Sequence, residues 1–252
     1  MITERIVLNE KRKVTLTAYI QEVGGEFIGL DKRPAVIILP GGGYHICSDR
    51  ESDPVAFAFL KAGFDAFILR YSVYGADGEL SGNADWPNPL SDYEQAMRLI
   101  KAKACEWNIM TDKIAVIGFS AGGHLAGAAM TLSAGDTRPA AGILGYPVDE
   151  WGKDNNYHIS APVIHEAITV ETCPCFIFAL RDDGTVPIQN SIMLMEAMAD
   201  KGVKFECHIY GHGPHGCSTC EEWLERQDFC RRVPNWTGDC IAWLKETLDV
   251  LK

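Results

Sequence analysis

A serine flanked by glycines stands between a buried strand and a helix of small residues. The stretch Gly118-Phe-Ser120-Ala-Gly122 follows the apolar run of residues 114–117 and precedes a segment rich in alanine, glycine and leucine. This order predicts a sharp strand-to-helix turn that lifts the serine oxygen clear of the backbone. Glycine is needed at 118 and 122 because side chains there would collide with the turn. The chemistry indicated is nucleophilic attack by Ser120, which requires a base and a carboxylate.

The base is expected to be a histidine on a loop that follows a strand. Of the seven histidines, His212 and His215 lie directly after the last predicted strand, within residues 211–216. His215 is favoured because Pro214 and Gly216 restrict the backbone around it. His212 is then expected to form hydrogen bonds within the loop.

Three aspartates compete for the role of the carboxylate that orients this histidine. Asp183 begins a Gly-Thr-Val-Pro turn after a buried strand and is the predicted partner. Asp182 lies nearer to the strand and could pair with a neighbouring cation instead, and Asp149, after the preceding strand, is the third candidate. The resulting order along the chain, serine then aspartate then histidine, is that of the α/β-hydrolase fold rather than of chymotrypsin-like or subtilisin-like enzymes.

The remaining pattern predicts the elements that position these residues. Strands are expected over residues 13–20, 34–39, 65–71, 114–117, 140–147, 175–180 and 203–210, and helices over residues 52–63, 90–108, 187–201 and 236–251 as well as after the serine. The second of these helices is expected to have Ser91 as its N-cap, with Glu94 completing a capping box. Alternation of this kind predicts the α/β class: an α/β-hydrolase fold with a mostly parallel central sheet and helices on both faces. Residues 1–252 are expected to form a single domain.

Three adjacent glycines end the buried strand of residues 34–39. Gly41, Gly42 and Gly43 leave backbone N–H groups able to approach a ligand closely. This pattern predicts an oxyanion loop, in which Gly42 or Gly43 acts together with the N–H of Ala121. A flexible turn is the alternative interpretation.

The composition narrows the classes of partner. A net charge of −11 and singly scattered Lys and Arg residues argue against nucleic acid. No apolar run approaches the roughly 18 residues of a membrane span. The N-terminal stretch is too charged for a signal peptide, so a cytoplasmic location is expected. A small-molecule partner fits this composition, and a homo-oligomer is left open.

The nine cysteines are expected to be reduced thiols. The spacing of Cys217-Ser-Thr-Cys220, close to His212 and His215 in the sequence, is half of the pattern of a structural zinc site. A second ligand pair is missing, because Cys230 and Cys240 stand alone. No metal is therefore expected, and the remote alternative is a non-catalytic binding module stabilised by zinc.

Six segments spread over almost the whole chain resemble the acetylesterase/lipase family of α/β-hydrolases, in particular the carbohydrate (xylan-type) acetylesterases. They are residues 39–44, 48–51, 62–73, 117–126, 183–187 and 213–216. The resemblance implies a serine esterase without a cofactor that removes short acyl groups, typically acetyl, from sugar hydroxyls. A same-fold amidase or peptidase, such as an arylformamidase, is the alternative enzyme.

The resemblance also implies roles around the triple-glycine loop. The loop and Ala121 would form the oxyanion hole, with Pro40 standing where lipase relatives carry histidine. Arg50 and Glu51 match the family in a structural role.

The residues expected to line the substrate pocket are Tyr44, Trp86 and Pro147. Trp86 belongs to a loop of residues 75–89 that is long enough to overhang the site, although it could equally anchor that loop on the core. Between residues 148 and 173 the chain is shorter than expected of the family. The identity of the substrate is therefore less determined than the chemistry.

Overall fold

A central sheet of eight strands runs through the computed structural model, which describes residues 1–27, 29–75, 82–151, 160–221, 223–224 and 228–251. The strands are β1 (Ile2–Asn9), β2 (Val14–Ile20), β3 (Arg33–Leu39), β4 (Asp65–Arg70), β5 (Ile109–Phe119), β6 (Gly142–Gly145), β7 (Cys175–Leu180) and β8 (Phe205–Tyr210). Their order across the sheet is β1-β2-β4-β3-β5-β6-β7-β8. Strand β2 pairs antiparallel with β1 and with β4, and all other neighbours are parallel. The predicted mostly parallel sheet is confirmed.

Helices cover both faces of this sheet. They are α1 (Asp53–Lys61), α2 (Asn88–Ala102), α3 (Ala104–Trp107), α4 (Ala121–Leu132), α5 (Ile164–Ala167), α6 (Gln189–Lys201) and α7 (Asn235–Leu248). Helices α1 and α7 bury their apolar residues against one face, and α2, α4 and α6 bury theirs against the other. Strand β3 is buried on both faces, which explains its unbroken apolar run. None of the helices within the described ranges is long and apolar enough to cross a membrane.

Helix α2 differs from its predicted start. It begins at Asn88, so Ser91 lies within the first turn and caps nothing. Pro89 in that turn has a φ angle that already suits a helix, and it carries no backbone N–H that would need a hydrogen-bond partner. The side chain of Glu94 accepts hydrogen bonds from hydroxyls of the loop after α4, those of Ser133 and Thr137. The predicted capping box is therefore wrong.

Asp65 is a fully buried carboxyl group at the start of β4, away from the carboxyl ends of the strands. One carboxyl oxygen accepts the backbone N–H of Gln21 at 2.8 Å, and the other has no hydrogen-bond partner among the described residues. Burial raises the pKa of Asp65 to about 7, although that hydrogen bond and the charge of Arg33 oppose the shift. The folded protein therefore holds a proton that the unfolded chain releases near pH 4. The stability that this proton confers is complete below pH 4 and is lost as the pH rises through 7.

Asp65→Asn is accordingly expected to gain stability relative to the wild type as the pH rises from 4 to 7. The gain approaches an upper limit of about 4 kcal/mol, because asparagine never acquires the buried charge. Thermal unfolding at pH 4.5, 6 and 8 measures it. Asp112→Asn, in which an exposed carboxyl of β5 is replaced, is the matched control and should follow the wild type. Parallel pH curves for Asp65→Asn and the wild type would contradict the prediction.

Candidate active site

Ser120 occupies the sharp turn between β5 and α4. Its φ of 53° and ψ of −118° are values that residues with side chains rarely adopt. A Cβ at Gly118 would lie 1.9 Å from the carbonyl oxygen of Gly122, and a Cβ at Gly122 would lie 2.1 Å from that of Leu39. Only glycine fits at these two positions, so the local sequence accounts for the turn. The strained backbone places the Ser120 side chain at the carboxyl edge of the sheet.

The structure brings together the three residues predicted to do the chemistry. Ser120 Oγ lies 2.8 Å from His215 Nε2, and His215 Nδ1 lies 2.6 Å from Asp183 Oδ2. The other carboxylate oxygen of Asp183 accepts the backbone N–H groups of Thr185 at 2.8 Å and Val186 at 2.9 Å. These bonds orient the carboxylate so that the histidine donates to it from Nδ1. Nε2 then presents its lone pair to the serine hydroxyl.

The competing candidates lie elsewhere. His212 is a half-exposed loop residue. The carboxylate of Asp182 accepts the backbone N–H of Gly213 at 3.1 Å and is exposed. Asp149 is buried and lies 2.5 Å from Nδ1 of His165, with which it forms a separate pair. None of these side chains takes the place of Asp183 or His215 beside the serine.

The triple-glycine loop lies beside Ser120. A Cβ at Gly41 would come within 3.0 Å of the serine Cβ. Gly42 and Gly43 have φ angles of 125° and 63°, and a Cβ at Gly42 would lie 2.4 Å from a backbone oxygen of the same loop. Within the described chain the N–H groups of both residues donate to no other residue. The N–H of Ala121, first in α4, has no intrahelical acceptor, so the predicted oxyanion donors are all available near the serine.

A cavity of about 450 Å³ opens over Ser120 and His215. Its wall combines the glycine loop, the stretch after it, the segment after β6 and the start of α6. The lining residues are Gly42, Gly43, Ile46, Ser48, Arg50, Glu51, Val148, Glu150, Trp151, Thr185, Val186, Pro187, Asn190 and Gly216 together with the serine and the histidine. This space is large enough for a sugar-sized ester.

Tyr44, Trp86 and Pro147, predicted to line the pocket, are absent from this lining and lie behind it. Tyr44 is buried, and its hydroxyl lies 2.9 Å from Nδ1 of His124. The Trp86 ring packs edge-on against the same histidine, with 6.0 Å between the centroids. Pro147 packs so closely on the first turn of α4 that a Cβ at Gly123 would lie 2.9 Å from it. These contacts stabilise the wall of the cavity from behind. For Trp86 they correspond to the alternative interpretation, in which the ring anchors its loop on the core.

Two segments expected to shape the pocket are described in part. Residues 76–81 of the overhanging loop and residues 152–159 of the segment after Pro147 lie outside the described ranges. The described start of that second segment contributes Val148, Glu150 and Trp151 to the cavity wall.

His124 is a buried residue whose role the sequence did not indicate. Its Nε2 lies 2.8 Å from the carbonyl oxygen of Pro162 and must donate to it, so Nδ1 accepts from the Tyr44 hydroxyl. Burial lowers the pKa of His124 to about 4, which keeps the ring neutral. The side chain therefore fastens the glycine loop to the chain before α5. The sequence shows only that His124 lies in the helix that follows Ser120. That position does not indicate that its partners are Tyr44 and Pro162.

The Cys217-x-x-Cys220 motif is buried in the core. Both cysteines belong to the apolar cluster that contains Val233 and Trp236. Across the described residues, no group of three or more His, Cys, Asp or Glu side chains could hold a metal ion. All nine cysteines lie within the described ranges, and none of them forms a disulfide bond.

Comparison with known proteins identifies the family. The chain is 36% identical to MGS-M1, an α/β-hydrolase enzyme from a Medee basin deep-sea metagenome library, over 99% of both chains. The two structures superpose with a TM-score of 0.89. The chain belongs to the α/β-hydrolase family. The resemblance seen in the sequence motifs is thereby confirmed at the level of the fold.

Carbohydrate esterases are among the other relatives of this α/β-hydrolase. The sequence model of the BD-FAE family matches residues 29–138. The acetylxylan esterase of Xylanibacter ruminicola is 30% identical over 80% of this chain and 45% of its own length. The acetyl ester-xyloside bifunctional hydrolase of Caldicellulosiruptor lactoaceticus is 28% identical over 95% of this chain and 90% of its own, with a TM-score of 0.79. The α/β-hydrolase spans less than half the length of the curated relatives it matches.

Proposed function

We propose that this α/β-hydrolase is a serine carboxylesterase that removes acetyl groups from the hydroxyls of sugars or xylo-oligosaccharides. The observation that carries the proposal is the hydrogen-bonded series Ser120, His215 and Asp183, with 2.8 Å and 2.6 Å between its polar atoms, opening into a cavity of about 450 Å³. Relatives with acetylxylan esterase and acetyl ester hydrolase activities support the choice of substrate. No cofactor is required by this chemistry.

In the first half of the reaction, His215 Nε2 takes the proton of Ser120 as the serine oxygen attacks the ester carbonyl carbon. The carbonyl electron pair moves onto the carbonyl oxygen. Backbone N–H groups of Gly42 or Gly43 and of Ala121 stabilise that oxyanion. The tetrahedral intermediate collapses when the protonated histidine gives its proton to the departing sugar oxygen, which leaves an acetyl-serine.

In the second half, water replaces the sugar alcohol. His215 takes a proton from the water as its oxygen attacks the acetyl-serine carbonyl, and the same N–H groups stabilise the second oxyanion. Collapse expels the oxygen of Ser120, which recovers its proton from the histidine, and acetate leaves. Asp183 stays ionised and holds the ring in one tautomer throughout.

The charges around the cavity favour a neutral substrate. The lining includes the acidic residues Glu51 and Glu150 against the single basic side chain of Arg50, and the protein carries a net charge of −11. Both features disfavour anionic esters. An acetylated neutral sugar meets this restriction.

Acetate release from acetylated xylo-oligosaccharides tests the proposal, with Ser120→Ala as the blank. Acetyl esters are expected to be turned over at least about tenfold faster than hexanoyl or longer esters and than amides, including N-formyl anilines. Preference for the amides would assign the chain to the same-fold amidases or arylformamidases. Absence of turnover together with failure of a fluorophosphonate to label Ser120 would indicate a non-catalytic module.

A further inference from the structure

A buried carboxylate contacts the active site from behind the glycine loop. Glu51 ends the short 3-10 turn Asp49–Glu51 before α1 and is 2% exposed. Its Oε2 accepts the backbone N–H of Gly41 at 2.7 Å, and its Oε1 accepts the hydroxyl of Tyr146 at 2.6 Å. A Cβ at Gly41 would lie 2.7 Å from the carboxylate oxygen, so this contact needs glycine. One side chain thus binds the loop after β3 and the end of β6.

Tyr146 extends this connection to the loop after β8 that carries His215 and Ser218, called the histidine loop below. Its ring lies edge-on to the imidazole of His215, with 5.0 Å between the centroids. Its hydroxyl oxygen accepts the N–H of Ser218 at 2.9 Å, and the hydroxyl of that serine donates to the carbonyl oxygen of Arg50 at 2.5 Å. The 3-10 turn is therefore joined to the histidine loop by two routes.

The ionisable groups facing Glu51 come from four places. They are the adjacent Arg50, Tyr71 after β4, Tyr146 after β6 and His215 after β8. Burial raises the pKa of Glu51, and its two hydrogen bonds and the charges of His215 and Arg50 oppose the shift. Both hydrogen-bond partners donate to the carboxylate, as its ionised form requires. The attraction between this carboxylate and the imidazolium is reciprocal, so each favours the charged form of the other.

We propose that Glu51 is a positioning residue that acts on both reacting ends of the site. By holding the N–H of Gly41, it aims the following glycine N–H groups at the substrate oxygen. By its negative charge, it stabilises the protonated His215 that forms in each half-reaction. This role goes beyond a structural one and rests on the proposed esterase function for its kinetic consequence.

Glu51→Gln tests the proposal because it keeps the size of the side chain but removes its charge and one acceptor. The kcat for p-nitrophenyl acetate is expected to fall about 10- to 100-fold, with KM changed less than about threefold. The acid limb of the kcat profile, which follows the protonation of the catalytic base, should move to lower pH. Glu94→Gln on α2 is the matched control, since its carboxylate binds the hydroxyls of Ser133 and Thr137 outside the cavity, and it should match the wild type.

Glu51→Asp separates the effect of the negative charge from the effect of side-chain length. It keeps the carboxylate but is one methylene short of Gly41, so kcat should fall while the acid limb stays near that of the wild type. A folded Glu51→Gln protein with wild-type kcat overturns the proposal, and so does a loss of kcat with an unmoved acid limb. Should the glutamine variant not fold, a Glu51→Asp protein with wild-type kcat overturns it instead.

A readout without turnover separates this proposal from the proposed function. The proton between His215 and Asp183 gives a low-field NMR signal whose change with pH follows the protonation of the ring. In Glu51→Gln the midpoint of that change is expected about 0.5 pH unit lower than in the wild type. An unmoved midpoint overturns the positioning role, whereas an inactive wild type with a shifted midpoint overturns only the esterase assignment.

Discussion

Ser120→Ala is expected to lower the rate of p-nitrophenyl acetate hydrolysis by about 10⁴- to 10⁶-fold. The substitution removes the oxygen that lies 2.8 Å from His215 Nε2, so the histidine has no nucleophile to deprotonate. Residual catalysis would come from the oxyanion donors and from binding alone. The fold should persist, because alanine keeps the same Cβ at the same strained φ and ψ. Steady-state kinetics and a thermal unfolding curve measure the two effects.

Ser191→Ala provides the matched control for this substitution. Ser191 is buried in α6 and takes no part in the cavity lining, so its variant should keep wild-type turnover. A fluorophosphonate should label the wild type and Ser191→Ala on Ser120, and should leave Ser120→Ala unlabelled. Turnover retained by Ser120→Ala, or a label on a different residue, would remove the serine from the mechanism.

The reacting residues were predictable because each belongs to a local pattern at the end of a strand. Ser120 lies between glycines that no other residue can replace, and Asp183 follows the buried apolar strand β7. His215 lies in the Gly-Pro-His-Gly loop after β8, a strand that is mostly only partly buried. In a mostly parallel sheet the carboxyl ends of neighbouring strands meet at one edge. The topology of the sheet therefore brings together three residues that are each indicated by a separate local sequence pattern.

The supporting contacts were not predictable, because they join buried side chains that are far apart in the sequence. Glu51 and Tyr146 are 95 positions apart, and Tyr44 and His124 are 80 apart. Periodicity shows which face of an element is buried but not which polar atoms meet there. The prediction that Trp86 lines the pocket failed for the same reason. The sequence indicates that an aromatic ring in a loop will be buried, but it does not show that the ring packs against His124.

Asp183→Asn is expected to lower kcat for acetyl esters by about 10⁴-fold while the protein stays folded. One carboxylate oxygen of Asp183 accepts two backbone N–H groups, at 2.8 Å and 2.9 Å, so the asparagine oxygen must take that place. The amide nitrogen then faces His215 Nδ1 and donates to it. The ring must carry its proton on Nε2, which donates to the serine hydroxyl and no longer accepts its proton.

The two other aspartates turn this prediction into a comparison of three matched variants. Asp182→Asn replaces an exposed carboxylate that accepts the N–H of Gly213 and lies 3.8 Å from the guanidinium of Arg181. Its kcat should stay within about threefold of the wild type, because an exposed ion pair contributes little. Asp149→Asn changes the pair with His165, so it should affect the segment between β6 and α5 without approaching the loss seen at Asp183. Near-wild-type kcat in Asp183→Asn, with a 10⁴-fold loss in Asp149→Asn, would transfer the orienting role to the aspartate after β6. Because all three substitutions exchange the same atoms, only the position of the carboxylate relative to the histidine can distinguish their effects.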